Sequence, residues 1–587
     1  MKKLLVLLLA LVMVLSTFAA CSKPDTDDDG NADSSKTEAS ETKKPGTGNT
    51  TKPNETPNDT PDGTDGEDIP GEEPEDETPG DIPEDETPAD ETPGDVPEDE
   101  TPGNDPEGTT PNTTPDTTPV TPPSTTPIIP AGPIGNLDSN INLNEKEYIF
   151  LSRGHASYAD EVCVDSSAGD PIDDAVMKRK NDVERKLKCK IKNVKVNETA
   201  TGTSENGDYA VITELKKTMG PDCSYDIIAA SAYTAFENTA TGMCTNLKDV
   251  AHIDLSQDYW APYFNENASI GNAQYFATGS ISLSLRRMIF VTFFNKELAE
   301  DRDIENLYDV VNEGRWTLDY QAEILANTWS EEDGENGKTE GDFYGLVTNS
   351  HICVDPYWTA CDVKILVKNN ENFFEIQPET GKLDSILNKL KDIYKDSQTY
   401  AFIGESGDKD QDKIRKKFTD EEAIMATLRL IEVEAEDFRN MDAEYGIIPI
   451  PKFDEAQKNY YSHAHDQFIV YGIVNKANAN FDNVGAVLEC MAIESERTVK
   501  NAYFEIALKG KYSKDQQSWD MLDMIVRNLK IDGGMLYTIK LNDITQQLRN
   551  TVKAKAATVS VTVFHAIKVK SLNIKLEAMQ TEIKTIQ

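Results

Sequence analysis

Residues 147–152, Glu-Tyr-Ile-Phe-Leu-Ser, form a short apolar run of the kind that makes a strand buried on both faces. Asp170-Pro-Ile-Asp-Asp174 follows it with the marks of a helix start: an Asp cap, Pro at the first helical position, and acids in the first turn. Apolar Ile172, Val176, Val183 and Leu187 then recur at helical spacing, and Lys190–Val196 resumes a strand. A helix is expected over Ala210–Met219 and another strand at Tyr225-Asp-Ile-Ile-Ala-Ala230. Strand, helix, strand, helix, strand implies an α/β fold built on a mainly parallel sheet covered on both faces. Ligands on such sheets sit beyond the carboxyl ends of the strands.

Composition divides the chain. Residues 22–135 hold 22 of the 29 prolines and 31 acids against five lysines, a net charge of −26. Almost no aromatic or branched apolar residue lies there, so the stretch cannot bury enough surface to offset chain entropy and is expected to be disordered. Within it Pro79-Gly-Asp-Ile-Pro-Glu-Asp-Glu-Thr87 recurs as Pro93-Gly-Asp-Val-Pro-Glu-Asp-Glu-Thr101. So polar a repeat describes a tether. As a flexible coil it spans about 60 Å, and as polyproline II about 350 Å. Residues 136–587 carry −22, an acidic balance that argues against nucleic acid as a partner. That stretch is too long for one ordinary core and suits two lobes.

At the N-terminus Lys2 and Lys3 precede an apolar run from Leu4 to Phe18, then Ala19, Ala20 and Cys21. This order is that of an export signal, too short for a stable membrane span. Its end resembles the lipobox of bacterial lipoproteins, with Phe18 where Leu is usual. The resemblance implies a signal over 1–20, acylation of Cys21, a lipid anchor, and a tethered chain on the outer face of the cytoplasmic membrane. Seven further cysteines (Cys163, Cys189, Cys223, Cys244, Cys353, Cys361 and Cys490) form no CxxC pair and are read as mostly buried free thiols.

Five stretches resemble extracellular solute-binding proteins of the maltose-binding type (family 1), the receptors of ABC importers. They are Tyr225-Asp-Ile-Ile with Thr245-Asn-Leu-Lys-Asp249; Met288-Ile-Phe-Val-Thr-Phe-Phe-Asn-Lys-Glu-Leu298; Gly314-Arg-Trp-Thr317; Tyr445-Gly-Ile-Ile-Pro-Ile-Pro-Lys452; and Gln467-Phe-Ile-Val-Tyr-Gly-Ile-Val474. They span about residues 147–530 in the family's order. The resemblance implies a two-lobe periplasmic-binding-protein-like (class II) fold with a hinge, crossed by two or three segments, after a tether over 21–135. Lobe one is expected over about 140–292 and 424–478, and lobe two over 293–423 and 479–587. The chain beyond Asn478 is expected to be helix-rich, with Val563, Ile567 and Leu572 at helical spacing within Val559–Ile583.

No GxSxG, HExxH or GxxxxGK[ST] motif occurs in the chain, so no enzyme activity, cofactor or catalytic residue is expected. His463 and His465 are read as a surface loop ahead of a returning strand, with a metal site as the weaker alternative. Sugar sites combine aromatic faces with a few polar groups. Asp355-Pro-Tyr-Trp358 resembles the Pro-aromatic loop of the maltose-binding type, which makes Tyr357 and Trp358 the first ligand-binding candidates. A core position is the alternative for Trp358. Tyr233 lies where that family presents ligand contacts, although Ala230, Ser231 and Ala232 replace the maltose-type Trp and Asp. Tyr158, after the first strand, and Arg287, with Arg286 before the crossover strand, complete the candidates; a hinge salt bridge is the alternative for the arginine pair. Trp260 and Trp316 are read as structural, and Trp329 and Trp519 as helical core residues. The expected function is capture of a carbohydrate or similar polar solute for an ABC permease. An adhesin or wall-interaction protein on a long stalk, and an exported hydrolase, are the alternatives.

Overall fold

The computed structural model describes residues 137–586, apart from 197–208, 378–380, 396–398, 403–407, 513–514, 554–560 and single residues at 139, 156, 159, 165, 167 and 168. The export signal, Cys21 and the tether lie outside the described residues. The chain opens with β1 (Lys146–Arg153), α1 (Pro171–Leu187), β2 (Cys189–Val196), α2 (Ala210–Thr218) and β3 (Ile227–Ser231). Asp170 caps α1, accepting from the backbone N–H groups of Ile172 at 2.8 Å and Asp173 at 3.4 Å. The face of α1 carrying Ile172, Val176, Val183 and Leu187 is buried. All three strands pair in parallel around β1, as the alternation of periods requires.

After α3 (Pro262–Ala268) the chain enters β4 (Phe290–Asn295), then α4 (Leu318–Leu325), β5 (Tyr344–Asn349) and α5 (Asp355–Ala360). A hairpin, β6 (Leu366–Lys368) and β7 (Phe374–Ile376), precedes α6 (Gly381–Lys395), β8 (Thr399–Phe402), β9 (Ala423–Arg429), β10 (Tyr445–Ile448) and β11 (Ile469–Ile473). Helices then dominate: α7 (Phe481–Arg497), α8 (Gln516–Arg527), α9 (Gly533–Leu536), α10 (Ile544–Lys553) and α11 (Val561–Ile586). In α11 the residues Leu572, Leu576, Met579 and Ile583 are buried at helical spacing; the side chains of Val563 and Ile567 lie outside the described set.

Two sheets organise two lobes. The first runs β11-β3-β1-β2 and the second β10-β4-β9-β5-β8. β11 enters the first antiparallel to β3, and β4 enters the second antiparallel to both neighbours. The lobe boundaries differ from the expected ones. The stretch 424–478 is expected in lobe one, yet its β9 and β10 flank β4 in the second sheet, and only β11 returns to the first. The cause is β4 itself. Every residue from Phe290 to Asn295 is buried, so both its edges require backbone partners. α7 also departs from its expected place in lobe two. It packs on α1, where Arg179 donates to Ser495 Oγ at 3.0 Å and Lys186 pairs with Glu494.

Among the described residues, three adjacent segments run side by side between the lobes. Ile289 bridges Ala464 in antiparallel fashion, with Phe290 N–H on the His463 carbonyl and His465 N–H on the Met288 carbonyl, both 2.9 Å. Ser462 then accepts from Lys530 N–H at 2.9 Å and donates its own N–H to the Asn528 carbonyl at 3.1 Å. The seven cysteines from Cys163 to Cys490 are buried thiols. No helix among the described residues is long and apolar enough to cross a membrane.

Candidate functional site

The carboxyl ends of β1, β3, β5 and β9 all open toward the crossing segments, and the side chains that follow them meet there. From β1 comes Arg153, whose guanidinium lies 4.0 Å over the Tyr158 ring and donates to the Gln467 carbonyl at 3.0 Å. The Tyr158 hydroxyl donates to Met288 Sδ at 3.6 Å. From β9 comes Arg429, which reaches the same sulfur at 3.8 Å and pairs with Glu432 at 2.9 Å. From β5 come His351 and α5. Asp355, Trp358 and Thr359 share one face of α5, at the i, i+3, i+4 spacing of a helix. Thr359 Oγ1 lies 3.3 Å from His463 Nδ1 on the crossing segment.

α10 closes this junction. Arg549 grips Asp355 in a two-pronged ion pair, one bond at 2.8 Å, and approaches His351 Nε2 at 3.3 Å. Asp355 is 1% exposed and Arg549 7%, so the pair is shut away from water. Tyr233, half-buried after β3, donates its backbone N–H to the Asp466 carbonyl at 3.0 Å; Asp543, Asp466 and Arg549 are its charged neighbours. Beside Thr359 a cavity of about 370 Å³ opens between the lobes, lined among others by Tyr263 and Asn267 of lobe one, Thr359 and Asp362 of lobe two, and Lys530 and Asp532 of the third crossing. Lys530 lies 3.2 Å over the Tyr461 ring and pairs with Asp362 at 2.9 Å. Burial pushes the Asp532 carboxyl up to about 7, although the backbone N–H groups of Gly534 and Ile365 donate to it.

Tyr158, Tyr233 and Trp358 are thus brought to one junction. Tyr357 is not. One residue from Trp358 on a short helix, it points the other way, fully buried in lobe two and edge-on to Tyr394, so its expected cleft position is corrected. Arg287 is corrected too: both arms of its fork bind Glu434, at 2.8 and 2.9 Å, which makes it the salt-bridge alternative. His463 and His465 are not a surface loop but buried in a crossing segment, packed against the Phe290 ring. Among the described residues no group of three His, Cys, Asp or Glu is placed to hold a metal. Trp260 donates to Glu489 at 2.7 Å, and Trp316 to the Pro449 carbonyl at 2.8 Å, both as structural residues. Trp329 follows α4 rather than lying on it, and both it and Trp519 are half-buried instead of core. Sequence reasoning passed over Arg549, His351, Arg429, Tyr263 and Lys530. Arg549 sits in an amphipathic helix, where no spacing separates a buried cation from a solvated one.

The three histidines make the junction sensitive to acid. Burial and the nearby Arg549 push His463 down to about 3. Burial, Arg549 and Lys553 push His351 down to about 4; burial, Arg429, Arg549 and the other two histidines hold His465 well below its ordinary value. The unfolded chain takes up these protons near pH 6.5, the folded one only far lower, so folding stability falls as pH drops below about 6.5. His463 alone is expected to cost about 2 kcal/mol at pH 5. Urea unfolding at pH 7 and pH 5 measures the loss, and His463→Gln should remove its share. Equal stability at both pH values contradicts the buried neutral state.

No family model matches the chain, and no curated protein does. Several solved structures are similar in fold. One is an ABC substrate-binding protein from Listeria monocytogenes in complex with cycloalternan: 11% identity, 75% of this chain and 99% of that one covered, TM-score 0.43. A family 1 extracellular solute-binding protein from Bifidobacterium longum subsp. infantis matches at 10% identity over 75% and 99%, TM-score 0.43. The GacH receptor of Streptomyces glaucescens, solved unliganded and with acarbose, matches at 12% over 75% and 99%, TM-score 0.45.

Proposed function

We propose that the chain is a solute-binding receptor that captures a carbohydrate between its lobes and delivers it to an ABC importer. One observation carries this reading: the carboxyl ends of strands from two separate sheets converge on one junction at the crossing segments. That is where an open α/β sheet binds ligand, duplicated face to face. The adjoining cavity, about 370 Å³, is of small-ligand size and sets the Tyr263 ring among Asn267, Thr359, Asp362 and Lys530. A ring and hydrogen-bonding groups of both kinds suit a polyol with apolar C–H faces. Acylation at Cys21, the lipid anchor and a location on the outer face of the cytoplasmic membrane belong to the same proposal, supported by the sequence order at residues 2–21.

A thermal-shift screen of the full chain against mono- to tetrasaccharides tests the reading. A true ligand at 100 times its dissociation constant should stabilise the fold by about 2.7 kcal/mol. A panel of sugars that leaves the melting temperature unmoved, with amino acids or peptides that raise it, would assign the cleft to another solute.

A further inference from the structure

A second cavity, about 560 Å³, lies on lobe one away from the junction. Cys244, on its wall, bridges Val474, whose N–H bonds the carbonyl of Asp226 immediately before β3. The cavity therefore sits at the amino end of β3, whereas the junction sits at its carboxyl end. Asn246 builds the wall. Its Oδ1 accepts from the N–H groups of Lys248 at 3.3 Å and Gln274 at 2.8 Å. Its Nδ2 donates to Asp249 Oδ2 at 2.8 Å and to the Asn272 carbonyl at 3.3 Å. Two loops are thereby fixed, and Asn246 keeps nothing for a ligand. Its neighbours do. Asn475 spends its Nδ2 on the Gly242 carbonyl at 3.1 Å and keeps Oδ1, and Asp249 likewise keeps Oδ1. Tyr275 is 6% exposed, yet its hydroxyl has no hydrogen-bond partner among the described residues. Burial, then the Asp249 charge, raises its pKa and holds it protonated as a donor.

We propose that this cavity is a second saccharide site, independent of the interlobe one, that takes a neutral sugar unit of a glycan. Sugar hydroxyls both donate and accept, so they satisfy the Asp249 and Asn475 oxygens and the Tyr275 hydroxyl together. Ile586, at the end of α11, and the Tyr275 ring add apolar surface for sugar C–H groups. An anionic solute would face the Asp249 carboxylate with no lysine or arginine on the wall. Calcium takes about 6–8 oxygens and binds more tightly the more of them are charged, so one carboxylate serves it poorly. Remote from the junction, the site holds a glycan without occupying the cleft.

The test is hydrogen exchange by mass spectrometry on the full chain, with maltotriose, xylotriose, mannotriose and chitotriose supplied in turn. At ten times its dissociation constant, a trisaccharide held here should slow exchange about tenfold in peptides covering 242–249 and 272–276. Asp249→Ala/Asn475→Ala should abolish that protection and leave any at 153–164 and 351–366 in place. Failure here and failure of the interlobe reading therefore show in different peptides. Tyr275→Phe removes only an unpartnered hydroxyl, so it should keep the melting temperature and weaken binding about tenfold. That variant decides the matter if the double one fails to fold. Exchange at 242–249 unmoved by all four sugars, protection that survives the variants, or protection by calcium chloride alone would overturn the site.

Discussion

Arg549→Ala is expected to destabilise the fold by about 3–5 kcal/mol, read as a lower urea midpoint. The cost comes less from losing the attraction than from what is left behind. Asp355, at 1% exposure, would keep a buried carboxylate with its bidentate partner gone, and His351 would lose the neighbour at 3.3 Å. The same logic predicts that replacing both partners by apolar groups restores most of the loss, since the pair's desolvation nearly offsets its attraction. Asp355→Leu/Arg549→Met should therefore be far more stable than Arg549→Ala. A single variant that loses under about 1 kcal/mol would place the pair in solvent instead.

Trp358→Ala should cost as much, about 3–5 kcal/mol in folding, because the indole is 1% exposed and its removal leaves a cavity. Trp358→Phe separates packing from recognition. The indole Nε1 is buried with the Asp355 carboxylate as its polar neighbour and makes no well-formed hydrogen bond to it, so the N–H adds little to the fold as it stands. Phe should then retain most of the stability. If that N–H meets the solute when the lobes part, Phe should weaken a saccharide identified by the screen by about tenfold, the worth of one well-made hydrogen bond. Calorimetry and denaturation on both variants check this; Phe with unchanged affinity would confine Trp358 to packing.

Much of the fold was legible because local signals agreed. The Asp170-Pro171 cap, the helical apolar spacing of α1 and the runs at β1 and β3 each specify their element and together force parallel pairing. Sheet membership of β9 and β10 was not legible. A short buried strand records its own burial but not its partner, and β4's need for two neighbours appears only in three dimensions. The site was legible in part for a similar reason. The sequence points to the loop ends that carry Tyr158, Tyr233 and Trp358. It does not say that Tyr357, one residue away, turns inward, nor that Arg549 comes from the last quarter of the chain to seal Asp355.

The shared interlobe site is tested most directly by hydrogen exchange on the full chain, with and without the saccharide that stabilises it best. Slowed exchange in both lobes at once is expected, at residues 153–164 and 232–237 on one side and 351–366 on the other, with 462–467 between them. Protection confined to one lobe, or lying away from the crossing segments, would contradict a ligand held between two converging sheets.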